Sequence, residues 1–207
     1  MQNRFKLWKF NKSRTETFSD GVFAIIITLL ILEIKLPEIH NHTDSHELFE
    51  ALIALAPKIF SWAVSFFFVA VMWVQHHNLF RMADKIDYGA VWINNISLFF
   101  ICFLPFPTAL MGEYPNNRIA VLLFGLIATL ATFTQVFLYG YIVKNNLQHH
   151  YNKTNAQKNV ARSFLLAPFL MIIATAVSFI NLWLPLVIYG LVPLFFLLPL
   201  DEDPEKY

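Results

Sequence analysis

The sequence predicts an all-α integral membrane bundle of six transmembrane helices, and three observations carry that reading. Of 207 residues, 57% are apolar and 14% charged, with 22 phenylalanines, far from the roughly 25% charged content of an ordinary soluble domain. The apolar residues gather in runs close to the ~20 residues a helix needs to cross the hydrocarbon. They lack the alternating in-and-out pattern of barrel strands, so helices remain as the way to satisfy backbone hydrogen bonds in lipid. The lysines and arginines, finally, lie almost entirely on one side of the spans.

The elements follow in order. A basic N-terminal stretch, MQNRFKLWKFNKSR, leads into the first span, 18–36. Its apolar run is long, opens on a charged motif and lacks a small-residue cleavage site, so it reads as a retained helix and not a cleaved signal. The loop 37–58 is the main external feature. Within it, Asp44 followed by Glu47 resembles a capping box for a helix that enters the membrane near Pro57 and Lys58. Further spans are expected at 59–76, 87–108 and 118–143. The polar loop 145–159 shows no structural pattern, and the last spans are 162–180 and 183–200. Pro105, Pro107, Pro168, Pro185, Pro193 and Pro199 are expected to end or kink helices, as membrane helices tolerate. The tail DEDPEKY is too short to fold. Short connections and the absence of a 20-to-50-residue repeat or low-complexity tract make residues 1–207 one transmembrane domain.

Orientation follows from the loop cations. An even number of spans puts both termini on one side, together with Arg4, Lys6, Lys9, Lys12 and Arg14, Arg81 and Lys85, Lys144, Lys153, Lys158 and Arg162, and Lys206. The other side holds only Lys35, Lys58 and Arg118. Both termini are therefore expected in the cytoplasm.

Several functions are excluded or weakly supported. A net charge of +1 gives no basic field for nucleic acid. The single cysteine, Cys102, sits in an apolar run, has no partner for a disulfide and reads as a core residue. No G-x-S-x-G, H-E-x-x-H, P-loop or dinucleotide fingerprint is present, so an enzyme would have no site to stand on. His40, His42 and His46 with Asp44 could bind zinc, but their spacing matches no structural site, and both they and His149-His150 read as solvated loop histidines.

The entry to the first helix is the informative stretch. Phe18, Ile25 and Leu32 are spaced by sevens and share a face, with Thr28 and Leu29 beside it and Asp20 roughly opposite. A carboxylate near the hydrocarbon is costly, so Asp20 is expected to face protein and to need partners. On the same membrane side, WVQHHNLF offers Trp73, His76 and His77, and YGAVWINNISLF offers Asn94 and Asn95. Arg14 is a further candidate, although six residues is poor helical spacing for a pair with Asp20. The plain reading is a polar clasp joining three helices; a proton relay or ion ligand is the alternative.

The run Arg14-x-x-x-Phe18-Ser19-Asp20, followed by Phe23-Ala24-Ile25 and Thr28-Leu29-Leu30, resembles the signature of the endolysosomal potassium channel family. Trp73-x-x-His76-His77-x-x-Phe80 also fits, and the single six-helix unit looks like the prokaryotic branch. The resemblance implies a potassium-selective cation channel of four identical subunits in the cell membrane, with the first helix of each lining a central pore. It implies stacked apolar rings of Ile25, Leu29 and Leu32, a selectivity contribution from Thr28, and a supporting network of Arg14, Phe18, Ser19, Asp20, Trp73, His77 and Asn95. No cofactor beyond the permeating potassium is implied. No TVGYG-like filter occurs; Tyr139-Gly140-Tyr141 and Tyr189-Gly190 are isolated fragments. Selectivity then has to come from a narrow apolar constriction that strips part of the ion's water. Glu33 near the outer end could add negative potential there, or simply be a solvated helix end. Without the motif, the same apolar stripe is what ordinary packing produces. Two rivals stand beside the channel: a proton-coupled transporter using Asp20 and His77, and a non-transporting membrane assembly protein.

Overall fold

The computed structural model describes residues 10–148 and 155–197. These form eight α-helices, with a lone bridge between Ala83 and Gln148 in place of any sheet among the described residues. They are α1 (Lys12–Leu30), continued by a 3-10 turn Ile31–Glu33, α2 (Ser45–Ala54), α3 (Ala56–Met82), α4 (Tyr88–Phe103), α5 (Pro105–Glu113), α6 (Arg118–Lys144), α7 (Asn155–Val177) and α8 (Trp183–Leu197). Four stretches are long and apolar enough to cross a membrane: Lys12–Glu33, Ala56–Met82, Tyr88–Glu113 and Arg118–Lys144. The apolar pieces Leu166–Val177 and Trp183–Pro193 are shorter and lie within the fifth and sixth expected spans. The chain is an all-helical, multi-pass membrane protein. Arg4, Lys6, Lys9, His149-His150, Lys153, Pro199 and the tail with Lys206 lie outside the described residues.

Side-chain caps set several helix starts. Asn11 accepts from the Arg14 amide at 3.4 Å, so α1 begins six residues before the expected 18 and takes the charged motif inside the helix. Asp44 caps α2 through the amides of His46 (2.9 Å) and Glu47 (3.3 Å). The reciprocal half of the expected capping box is absent. Glu47 turns back to the amides of His40 (2.7 Å) and Asn41 (3.0 Å) instead, while the Asp44 amide goes to the Asn41 carbonyl. Asp87 caps α4 through the Ala90 amide at 2.9 Å, and its other carboxylate oxygen accepts the Tyr141 hydroxyl at 3.1 Å.

Proline explains two interruptions. The ring of Pro57 conflicts with the carbonyl four residues back, and the helix breaks at Leu55 between α2 and α3; Pro105 likewise splits the expected 87–108 span into α4 and α5. Pro168 and Pro193 lie inside α7 and α8, where membrane helices accommodate them. Two expectations are corrected. The loop 145–159 is not structureless throughout, because α7 already begins at Asn155. Cys102 is exposed on the outside of the bundle and not in the core.

α6 packs against α4, α5 and α7, while α1 lies on α3 and α4, and α8 on α3 and α7. The larger core joins Phe23, Ile26 and Leu30 of α1 to Phe68 and Met72, Ile101, Phe124 and Tyr189. A smaller cluster, including Leu79, Ala83, Ala90, Leu138 and Leu147, closes the end near the Ala83–Gln148 bridge. Lipid tails are as apolar as leucine, so close packing and polar bonds hold such helices together more than transfer from water does. Gly125 shows the packing: a Cβ there would collide with the Thr175 and Tyr189 hydroxyls, which bond to each other at 3.0 Å.

Candidate functional site

α1 has two faces with opposite roles. Thr15, Ser19, Phe23, Ile26 and Leu30 recur every three or four residues and are buried against α3 and α4. The other face is uncovered in the protomer. Phe18 and Ile25 are each 59% exposed, Leu29 is 44% and Leu32 69%, with Gly21, Ala24 and Thr28 between them also exposed. This is the face picked out by the seven-residue spacing. The Thr28 hydroxyl lies 2.8 Å from the Ile25 carbonyl and 3.1 Å from that of Ala24, inside its own helix. A hydroxyl that donates backwards still has lone pairs to accept with, and Thr28 is exposed on this face.

The buried face carries a directional chain of hydrogen bonds. The Ser19 hydroxyl donates to the Thr15 carbonyl at 2.9 Å, Asn94 Nδ2 donates to Ser19 Oγ at 3.0 Å, and Asn94 Oδ1 lies 2.8 Å from His76 Nε2. The Asn94 oxygen can only accept, which assigns the proton to His76 Nε2 in this arrangement. Ser19, Asn94 and His76 are each at most 1% exposed. Phe80 stacks on the His76 ring at 4.4 Å and Phe23 lies 5.4 Å away, fixing the imidazole between aromatic faces. Farther along, Gln135 of α6 donates to the Met72 carbonyl at 3.0 Å. α1, α3, α4 and α6 are thus joined by polar bonds in an apolar setting.

Asp20 is engaged differently. Its Oδ1 accepts the Trp73 indole N–H at 2.8 Å, and both residues are exposed in the protomer. Among the described residues Arg14 forms no ion pair, so the Arg14–Asp20 pairing does not appear. His77 is exposed, with its ring 6.0 Å from that of Trp73. Asn95 is half-buried and outside the hydrogen-bonded chain, which runs through its neighbour Asn94. The signal for Asn94 was in the sequence: Ala90, Asn94, Ser97 and Ile101 recur at helical spacing and form the buried face of α4. Gln135 carried no comparable signal, being one polar residue in a long apolar run. No cluster of three metal-ligating side chains occurs among the described residues; His40 and His46 instead lie beside Glu47 and Glu50, at 3.1 and 3.7 Å.

Comparison with known proteins identifies the lineage. Residues 14–105 match the family model of the endosomal/lysosomal potassium channel TMEM175. A potassium channel of Chamaesiphon minutus is 35% identical over 198 residues, covering 89% of this chain and 93% of that protein. The chain belongs to the TMEM175 family. That family is one of ion channels, not enzymes. The crystal structure of a lysosomal potassium-selective channel TMEM175 homolog from the same organism superposes with a TM-score of 0.79 at 32% identity, covering 90% of this chain and 96% of that one. The endosomal/lysosomal proton channel TMEM175 of Danio rerio is 28% identical over 190 residues, which cover 86% of this chain but 35% of that longer protein. The matched segment 14–105 contains the exposed face of α1 and all of Thr15, Ser19, Asp20, Trp73, His76 and Asn94.

Proposed function

We propose that this protein is a potassium-selective channel of the cell membrane, built from four copies with six spans each, both termini in the cytoplasm and α1 of every copy lining the central pore. The observation that carries the reading is the division of α1. Its buried face is anchored by Ser19, Asn94 and His76, while Phe18, Ile25, Thr28, Leu29 and Leu32 stand uncovered in the protomer. The names of the relatives, potassium channel and potassium-selective channel, support the choice of ion.

Four Ile25 side chains around an axis form a ring with no hydrogen-bonding group. An ion crossing it leaves part of its hydration shell, a cost of several kcal/mol when uncompensated, and such a ring can also gate by dewetting. Potassium holds its water less tightly than sodium, so the ring disfavours sodium more. Thr28, one turn on and exposed on the same face, returns part of the lost coordination. Leu29 and Leu32 continue the apolar line, and Asp20, about 140° around the helix from Ile25 by the 100° per residue of an α-helix, serves the clasp with Trp73.

The transporter alternative requires a proton to pass between Asp20 and His77. Asp20 instead bonds to the Trp73 indole N–H, a donor only, and among the described residues no hydrogen bond joins Asp20 to His77. Purified protein in liposomes separates the readings. A channel gives potassium flux well above sodium flux and linear in gradient; saturable, proton-driven flux would indicate the transporter, and no flux the assembly protein.

A further inference from the structure

No residue of α2 is buried, yet its side chains are sorted by kind. At 100° per residue, Leu48, Phe49, Leu52 and Ile53 fall within an arc of about 140°, and all four are exposed. His46, Glu47 and Glu50 take the other side. There His46 lies 3.7 Å from Glu50, and Glu47 accepts from the backbone amides of His40 and Asn41. Ser45, at the first position, is the one polar residue on the apolar arc. A helix so divided suits a boundary, with water on one side and an apolar medium on the other.

The position of α2 says which medium that is. Leu55 alone joins it to α3, whose 27 residues make about 40 Å at 1.5 Å per residue, already more than the ~30 Å of hydrocarbon. α2 therefore lies at the membrane boundary, beside the start of a span. The helical ladder is interrupted between the two: the Leu55 amide bonds to the Leu52 carbonyl three residues back, and four-residue bonding resumes with Ile59 on Leu55. α2 is thus not obliged to continue the axis of α3 into water, where its four large apolar side chains would be unfavourable. Past the break, exposed apolar side chains resume at Ile59 and Phe60, on a helix long and apolar enough to cross a membrane. We propose that α2 is an interfacial helix, with Leu48, Phe49, Leu52 and Ile53 set between the headgroups and acyl chains of the leaflet at this end and His46, Glu47 and Glu50 in water. Two carboxylates on the polar side make the contact apolar and not electrostatic, so zwitterionic lipid suffices. Through the Glu47 bonds to His40 and Asn41, the segment that leaves α1 is tied to the same leaflet.

Nitroxide labels placed singly at Phe49→Cys, Ile53→Cys and Glu50→Cys test this in the full-length protein, with the exposed Cys102 replaced by alanine. Purified protein in phosphatidylcholine liposomes is read by power saturation against oxygen, which concentrates in lipid, and a water-soluble nickel chelate. At positions 49 and 53, oxygen should relax the label at least about threefold more than nickel does, as expected for an apolar face sunk into the boundary; at position 50 the order should reverse. Two labels on the apolar arc keep the test open if one variant misfolds, and the pattern should be the same with phosphatidylglycerol added. Equal nickel access at all three positions would place α2 in water, and poor access of both reagents at 49 and 53 would mean that protein, such as a second copy, covers the arc. Either result, or a pattern that appears only with phosphatidylglycerol, would overturn the proposal. No readout depends on ion flux, so failure here is distinct from failure of the channel reading.

Discussion

At Ile25 a single side chain decides between two accounts of selectivity, polarity of the ring or its width. Ile25→Asn supplies amides on a smaller side chain, so conductance should rise with potassium and sodium nearly equal. Ile25→Met keeps the ring apolar, so preference should persist with smaller current. Recordings of both variants at matched protein density compare the outcomes, and an Ile25→Asn channel as selective as the parent would remove the ring from the filter. Thr28 tests the second contribution. Its hydroxyl donates to the Ile25 carbonyl and keeps a lone pair to accept with, so Thr28→Val removes both that internal bond and the acceptor at nearly constant size. The loss should resemble one net hydrogen bond, about 0.5–1.5 kcal/mol, or about two- to tenfold in potassium preference. Unchanged reversal potentials in mixed potassium and sodium would exclude Thr28.

Among the elements, α1 was the most legible in the sequence and the α2 region the least. The sevenfold spacing of Phe18, Ile25 and Leu32 identifies one face of a helix whatever packs on the other, and the structure leaves that face uncovered. The Leu55 break was hidden because an apolar run reads as continuous until the effect of Pro57 on the preceding turn is counted, whereas the α4–α5 split falls at Pro105, one of the prolines expected to end or kink a helix. Asn94 and Asn95 were both offered as partners, and only Asn94 enters the hydrogen-bonded chain, because adjacent residues are rotated by about 100° around a helix. The start of α7 lay in a polar stretch with no apolar periodicity to announce it. In the α2 region, Glu47 chose the amides of His40 and Asn41 over the expected box, a preference set by chain path and invisible to local pattern. Those two backbone donors hold the Glu47 carboxyl below its ordinary value of 4.5. A depressed folded pKa adds stability that is present above the unfolded pKa and lost as pH falls through the folded one. Amide protection at His40 and Asn41, corrected for intrinsic exchange, should therefore be flat above pH 4.5 and fall below it. Glu47→Gln should lower that protection at neutral pH; protection in the wild type that stays constant through the acid range would refute the assignment.

For the whole molecule, the question is what the uncovered side of α1 means. In a membrane an exposed apolar face is met by lipid as readily as by protein, so this face takes its meaning together with the polar groups beside it. The polar groups are more telling. Asp20 and Trp73 bond to each other in the open, and a carboxylate near the hydrocarbon is expensive unless protein or water surrounds it. Assembly of four copies would supply both, enclosing a wet axis and shielding the pair. Asp20→Ala should then lower the fraction of purified protein recovered as tetramer while leaving the ion preference of the surviving channels intact. Asp20→Asn separates charge from hydrogen bonding, since its amide oxygen still accepts from Trp73 and should recover much of the tetramer. Asn94→Ala serves as a comparison from inside the protomer. It strands the His76 Nε2–H, while Ser19 keeps its bond to the Thr15 carbonyl, at a cost of roughly 1–3 kcal/mol for the unsatisfied group, and should lower the melting temperature of the monomer fold, as followed by circular dichroism. Native mass spectrometry at fixed detergent counts the subunits for each variant. If Asp20→Ala assembled as well as the parent and shifted potassium preference instead, Asp20 would belong to the ion path, and the division of α1 into an anchoring face and a conducting face would have to be redrawn.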